Sequence, residues 1–304
     1  MRAWWKRHWF SEVPPQIFAV YRMAVGLCGC MTILGMFDVP MLLSIDGIAP
    51  IPGGGLGIRA AIQQAGLGTA SGWTVWVVSL VGYVLLLLGL YTPLAAILTF
   101  LASAFILSWN PLPFSAAQHL LHMLTLYVVF SEGGAVWSVD AWRRGQPTIP
   151  QRQAVWPMRL LQYQICLMYL SAGLWKLCDP FWRDGSALHY ILNHNVFQRV
   201  PGDVAPFMTP VLVIGTYLTL AWELLFTPAM LTRVTRNAMV LIGAGLHIGM
   251  WALLDVGAFT PTVLAAYVAF LDPEWVARLS EQRFRKSSRT PAGTDTLETS
   301  LNAS

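Results

Sequence analysis

The chain has 304 residues, of which 56% are hydrophobic and 11% charged, with a formal net charge of +4. A soluble globular domain carries about 25% charged residues, so this composition excludes an ordinary soluble enzyme. It predicts an all-α, polytopic integral membrane bundle. The positive residues sit between apolar runs and at the two ends, which is a topological pattern and not a nucleic-acid footprint; no nucleic-acid partner is expected.

Residues 1–10 hold Arg2, Lys6, Arg7 and the tryptophans Trp4, Trp5 and Trp9. They predict a short amphipathic helix on the inner leaflet. The apolar stretch that follows is long and lacks a small-x-small processing site, so it reads as a retained first span, about 17–37. Arg22, Gly26 and Gly29 share one face of it. The glycines allow another helix to approach closely. Arg22 is open to three readings: a lipid headgroup partner, a carboxylate partner from another span, or a positive-inside anchor.

Residues 38–72 are expected as a long non-cytosolic loop with Asp38, Asp46 and the run Pro50-Ile51-Pro52-Gly53-Gly54-Gly55. That run lacks the Lys-Ser/Thr and the preceding strand of a phosphate loop. Spans two and three follow at about 73–90 and 93–109, turning at Gly89 to Pro93. Asn110, Pro111 and Pro113 form a brief loop before a short span four, about 115–131.

His119 and His122 open span four, three residues apart. Three readings apply to them: a metal pair, proton handling or ligand hydrogen bonding, and simple helix packing. No acid or cysteine stands near them in sequence to complete a metal site, so no metal is expected. The cysteines, Cys28, Cys30, Cys166 and Cys178, form no CxxC pair and read as apolar filler.

The loop 132–158, with Arg143, Arg144 and Arg152, is expected to be cytosolic. Span five, about 157–177, carries Arg159, Gln162, Cys166, Tyr169, Gly173 and Lys176 in steps of three and four, which return to one side of a helix. A charge on that side faces protein or water, because facing lipid is expensive. Lys176 near the helix end either lines a polar cavity or snorkels and pairs with Asp179. Residues 178–206 hold Trp182, Asp184, His189, Asn193, His194 and Arg199, and ALHYILNHNVF reads as a short helix that roofs a cavity.

Span six, about 209–229, has Glu223 inside an apolar run, with Thr216, Thr219 and Thr227 on its side. A carboxylate there is paired or protonated, with His247 or Arg22 as candidate partners. Span seven, about 237–254, turns His247 to the side of Gly243 and Trp251. Span eight is about 257–271. The domain boundary falls at 272: a transmembrane domain, 1–272, and a cytosolic tail, 273–304, disordered at its end.

Eight spans put both termini in the cytosol. Arg143, Arg144, Arg152, Arg233 and Arg236 then fall inside, while Arg59, Arg183 and Arg199 fall outside among five aspartates. The expected location is the bacterial cytoplasmic membrane. In this topology His119, His122, Lys176, His189, His194 and His247 all lie in the non-cytosolic half, with Glu223 deeper. One cavity open to the outer side or outer leaflet accounts for that clustering.

The segment Tyr169-x-x-Ala172-Gly173-x-x-Lys176-Leu177, followed by Trp182-x-x-Gly185-x-Ala187, resembles the core of vitamin K-dependent gamma-carboxylase and its bacterial relatives, the HTTM (horizontally transferred transmembrane) proteins. Arg22 within YRMAVG is similar to the family's first span, and Glu223 with His247 to its late membrane pattern. The resemblance covers about 15–272. It implies a carboxylase-like membrane fold with Lys176 as the base that deprotonates a vitamin K-like hydroquinone. It further implies His119 in proton handling; His122, three residues on and on the same face, is expected to take part beside it. Tyr169, Gly173, Trp182, His189, Glu223 and His247 are then expected to surround the quinol or other lipid-like ligand. No counterpart of the eukaryotic enzyme's large luminal region is expected after span eight, and the family's paired lysines are here Trp175-Lys176, so carboxylation of protein glutamate is not expected.

Two function classes follow. One is an enzyme, carboxylase- or epoxidase-like or an oxidoreductase, acting on a quinol or lipid-like substrate. The other is a non-catalytic or accessory protein that binds a lipid, a quinone or an exported peptide during its maturation or export. Transport is disfavoured by the lack of an internal repeat.

Overall fold

A computed structural model describes residues 2–36, 64–109, 116–145, 151–199 and 205–279. Asp38, Asp46, Arg59, the run from Pro50 to Gly55, Asn110 to Pro113, Asp203 and most of the expected tail lie outside the described residues. The elements in chain order are α1 (Arg2–Phe10), β1 (Glu12–Val13), α2 (Gln16–Gly35), α3 (Gly68–Leu88), α4 (Thr92–Trp109), α5 (Ala116–Val129), α6 (Val139–Arg143) and β2 (Gln153–Ala154). They continue with α7 (Trp156–Cys178), α8 (Pro180–Arg183), α9 (Ala187–Leu192), α10 (Ala205–Ala229), α11 (Arg233–Leu253), α12 (Phe259–Tyr267) and a 3-10 turn, Val268–Phe270.

A helix stands at each of the eight predicted spans. Three segments, Gln16–Gly35, Ala70–Leu88 and Phe207–Ala229, are long and apolar enough to cross a membrane; Thr92–Leu107, Ala116–Val129 and Phe259–Phe270 are apolar but shorter. The helices α7 and α11 have the length, 23 and 21 residues, but carry Arg159 with Lys176 and Arg233 with Arg236.

The bundle is built around α2. Its residues Ile17, Phe18, Tyr21, Val25 and Cys28 are buried in one apolar cluster with side chains of α3, α5, α7 and α12. The Gly26 and Gly29 face meets α3 at backbone range. A Cβ on Gly29 would lie 2.0 Å from the Tyr83 ring, and one on Gly26 would lie 2.6 Å from the Leu87 nitrogen. Small residues at such a seam let dispersion contacts act between backbones.

Arg22 is fully buried, and its partners differ from those expected. It donates Nε to the Gly133 carbonyl at 2.9 Å, Nη1 to the carbonyls of Leu86 and Leu87, and Nη2 to the Trp137 carbonyl at 2.7 Å. The last carbonyls of α3 have no intrahelical donor, and that helix end carries partial negative charge. Arg22 therefore binds a helix end, and neither a headgroup nor Glu223. At the next turn Asp140 of α6 accepts from the backbone N–H of Tyr91 and Thr92, both at 2.8 Å, and from Thr92 Oγ1 at 3.0 Å. It satisfies donors that the start of α4 leaves open.

The predicted N-terminal helix is α1. His8 Nε2 and the Tyr163 hydroxyl lie 2.9 Å apart, and the Trp9 ring lies 5.6 Å from that of Tyr163. A two-residue antiparallel pair, Glu12 with Ala154 and Val13 with Gln153, ties the chain after α1 to the start of α7.

Candidate functional site

A cavity of about 920 Å³ lies between α5, α7, α9, α10 and α11, with Trp182 and Phe259 also lining it. Most of its wall is apolar, including Met123, Leu188, Leu212, Leu246 and Met250. The polar groups on the wall are His119, Tyr169, Lys176, Thr219, Glu223 and His247. A large apolar pocket with a few convergent polar groups is the form a small-molecule site takes.

The geometry grows from Gly173. It is buried on α7, and a Cβ there would lie 3.0 Å from Leu224 and 3.2 Å from Glu223 Cβ on α10. The glycine thus spaces the two helices and does not line the cavity itself. One turn further along the same face, Lys176 Nζ donates to Glu223 Oε1. The two side chains are 25% and 9% exposed. The ammonium also lies 4.6 Å from the centroid of the Trp182 ring, within reach of a cation–π attraction. Asp179, the local alternative partner, instead caps α8 by accepting from the Phe181 N–H at 2.8 Å. Glu223 is paired, as a carboxylate inside a span must be, but its partner is Lys176 and neither His247 nor Arg22. Its second oxygen, Oε2, is buried without a partner among the described residues.

A second network lies on the same wall. The Tyr169 hydroxyl stands 3.1 Å from His247 Nε2 and 2.8 Å from the Tyr267 hydroxyl. His247 Nδ1 is buried with no partner among the described residues. The Trp222 ring meets Tyr169 edge-on at 4.6 Å and donates its N–H to the Met239 carbonyl at 2.9 Å. Gly243 makes room for it: a Cβ there would lie 2.2 Å from Trp222 and 2.6 Å from the Tyr267 hydroxyl. Sequence reasoning passed over Trp222 and Tyr267. The signal for Tyr267 was a hydroxyl in an otherwise apolar run, and for Trp222 its place beside Glu223.

The remaining candidates divide. His119 lines the cavity. His122 is turned to α4, with Nδ1 2.7 Å from Ser103 Oγ and its ring stacked 4.4 Å from Phe100. A step of three residues leaves side chains about 60° apart around a helix, enough to separate the two. On α9, Leu188, Ile191 and Leu192 line the cavity. His189 does not; its ring lies edge-on to Tyr190, and its Nδ1 is buried without a partner among the described residues. His194 serves a local turn, accepting from the Val196 N–H at 3.3 Å. Of the threonines, Thr216 and Thr227 donate to the carbonyls of Leu212 and Cys166, while Thr219 faces the cavity. Among the described residues no group of three or more His, Cys, Asp or Glu is assembled to hold a metal ion.

Fold and site together define a helical membrane protein whose polar residues converge on one apolar cavity. The chain belongs to the HTTM domain family, which matches residues 66–275. That range contains every cavity residue named above. The chain is also similar to the sporulation-delaying protein SdpB of Bacillus subtilis (strain 168), at 28% identity over 123 residues. That likeness covers 38% of this chain and 38% of the relative, so the chain spans well under half of the curated relative it matches. No solved structure matches the chain.

Proposed function

We propose that the cavity binds a quinol or a similar amphiphile from the membrane and that Lys176 accepts a proton from its acidic hydroxyl. The observation that carries this reading is the Lys176–Glu223 pair on the wall of an apolar cavity. A lysine is a base only as the neutral amine. Within the pair, passing the Nζ proton to Oε1 leaves an amine beside a carboxylic acid. Such a neutral pair suits an apolar site, where separated charges are poorly solvated. The neutral Nζ then takes the hydroxyl proton of the bound ligand, and the ammonium formed lies over the Trp182 ring. The unpartnered Glu223 Oε2 offers an acceptor to a second hydroxyl, and His119 and the Tyr169–His247 network offer polar contacts to a ring oxygen. The apolar wall of α9, α10 and α11 suits an isoprenoid or acyl tail.

The ion pair itself favours a second reading. An ammonium held by Glu223 is a fixed charge, and such a site binds an amphiphile without turning it over. An accessory protein, acting on a lipid or an exported peptide, needs no more than this.

Tryptophan fluorescence tests occupancy. Trp182 and Trp222 line the cavity, and quinones quench indole emission on contact. A short-chain naphthoquinone should quench the full-length protein saturably, and Ala172→Leu, which fills the cavity, should weaken that binding. Quenching that is linear, or unchanged by the substitution, removes the amphiphile from this site.

A further inference from the structure

A second constellation lies at the opposite end of α7 from Lys176, where the start of α7 packs on α1 and the start of α11 carries two further arginines. Arg159 stands in the first turn of α7, and Arg233 and Arg236 in the first turn of α11, which contains no acidic residue. Helix N-termini carry partial positive charge and favour anions, so three arginines there have the unfavourable sign. Their charges also act on one another: Arg236 feels Arg233 and Arg159, with Asp272 in opposition. Among the described residues Asp272 is the one carboxylate paired with any of them, 3.4 Å from Arg233. The guanidinium donors are undersupplied with acceptors. Arg159 Nη1 reaches Gln162 Oε1 at 2.9 Å, while the Nε atoms of Arg159 and Arg236 are buried with no partner among the described residues.

The surroundings identify the kind of anion. Leu231 and Val234 are 86% and 80% exposed beside Arg233, and α1 exposes Trp4 and Trp5 beside Lys6 and Arg7. Exposed apolar and aromatic side chains interleaved with arginine and lysine suit a bilayer interface. Arginine's planar fork suits phosphate oxygens. We propose that Arg159, Arg233 and Arg236 bind the phosphate headgroup of an anionic phospholipid at this end of the bundle. The lipid would neutralise the cluster and seat α1 on the membrane surface.

The test uses full-length protein in detergent, incubated with an equimolar mixture of phosphatidylglycerol and phosphatidylcholine, with retained lipid counted by native mass spectrometry. Wild-type protein should retain phosphatidylglycerol preferentially. The double variant Arg159→Gln/Arg236→Gln should lose that preference by roughly thirtyfold, from about 1 kcal/mol for each arginine near an anionic surface. If the double variant does not fold, Arg236→Gln alone should lose roughly fivefold. Equal retention of the two lipids by wild-type protein overturns the proposal. Displacement of the lipid by millimolar inorganic phosphate overturns the lipid assignment and makes the cluster a site for the free anion.

Discussion

Lys176 on α7 and Glu223 on α10 lie 47 residues apart in sequence and form one ion pair on the wall of an apolar cavity. Neither charge is tolerable there alone. Removing one member of a buried pair costs roughly 3–5 kcal/mol, because the other is left uncompensated, whereas replacing both with apolar residues is often neutral. Lys176 keeps 25% of its side chain exposed, so an ammonium left without Glu223 is partly solvated, which moves the loss of Glu223 toward the low end.

A double-mutant cycle measures this directly. Lys176→Met and Glu223→Leu should each lower the unfolding midpoint in detergent, with Lys176→Met the worse because it strands the more buried carboxylate. The double variant should be more stable than either single one. Additive losses would mean that the two side chains do not interact.

The seam of α2 with α3 makes a steric prediction. Gly29→Ala puts a methyl group 2.0 Å from the Tyr83 ring, and overpacking of this kind costs typically 1–3 kcal/mol. Gly35→Ala on the same helix has nothing within 4 Å of its new Cβ and should be neutral or slightly stabilising. Parallel thermal unfolding of the two variants checks the contrast.

The polar face of α7 was legible because period 3.6 brings Tyr169, Gly173 and Lys176 together whatever the helix packs against. Glu223 was legible because a carboxylate in an apolar run demands a partner. The identity of that partner was not, since it depends on how closely α7 and α10 approach, which Gly173 sets. For the same reason His122 and His189 look equivalent to His119 in sequence, yet rotation about their helices turns them toward Ser103 and Tyr190. Arg22 reads in sequence as a headgroup partner, a carboxylate partner or a positive-inside anchor. Its actual partners, backbone carbonyls at the end of α3 and around Gly133 and Trp137, have no sequence signature. Helices stand at all eight predicted spans, while among the described residues three segments have the length and apolarity of a crossing and three more are apolar but shorter.

Asp140 gives a pH dependence outside the spans. Burial acts to raise its pKa, but hydrogen bonds from Thr92 and Tyr91 and the charge of Arg144 outweigh it and hold the carboxyl below its ordinary range. A folded-state value below the unfolded one contributes stability above the unfolded pKa, about 3.9, and the contribution is lost as pH falls through the folded value. Asp140→Ala should therefore destabilise by about 1 kcal/mol at neutral pH, as loss of a helix cap does. The gap between wild type and variant should be flat above about pH 5 and close below about pH 4. A gap that widens with acid would contradict this sign.

The proton-accepting role of Lys176 is tested most directly by Lys176→Arg, compared with wild type for both binding and oxidation of a short-chain naphthohydroquinone under air. The deprotonated quinol surrenders its two electrons to dioxygen, giving quinone and hydrogen peroxide, more readily than the neutral quinol does. Arginine keeps the charge and the pairing with Glu223 but stays protonated. The account predicts that binding persists while the protein-dependent oxidation rate falls by roughly 10²–10⁴-fold, the contribution of a positioned general base. An unchanged rate in a variant that binds normally would contradict it and leave Lys176 as a fixed charge in a binding site.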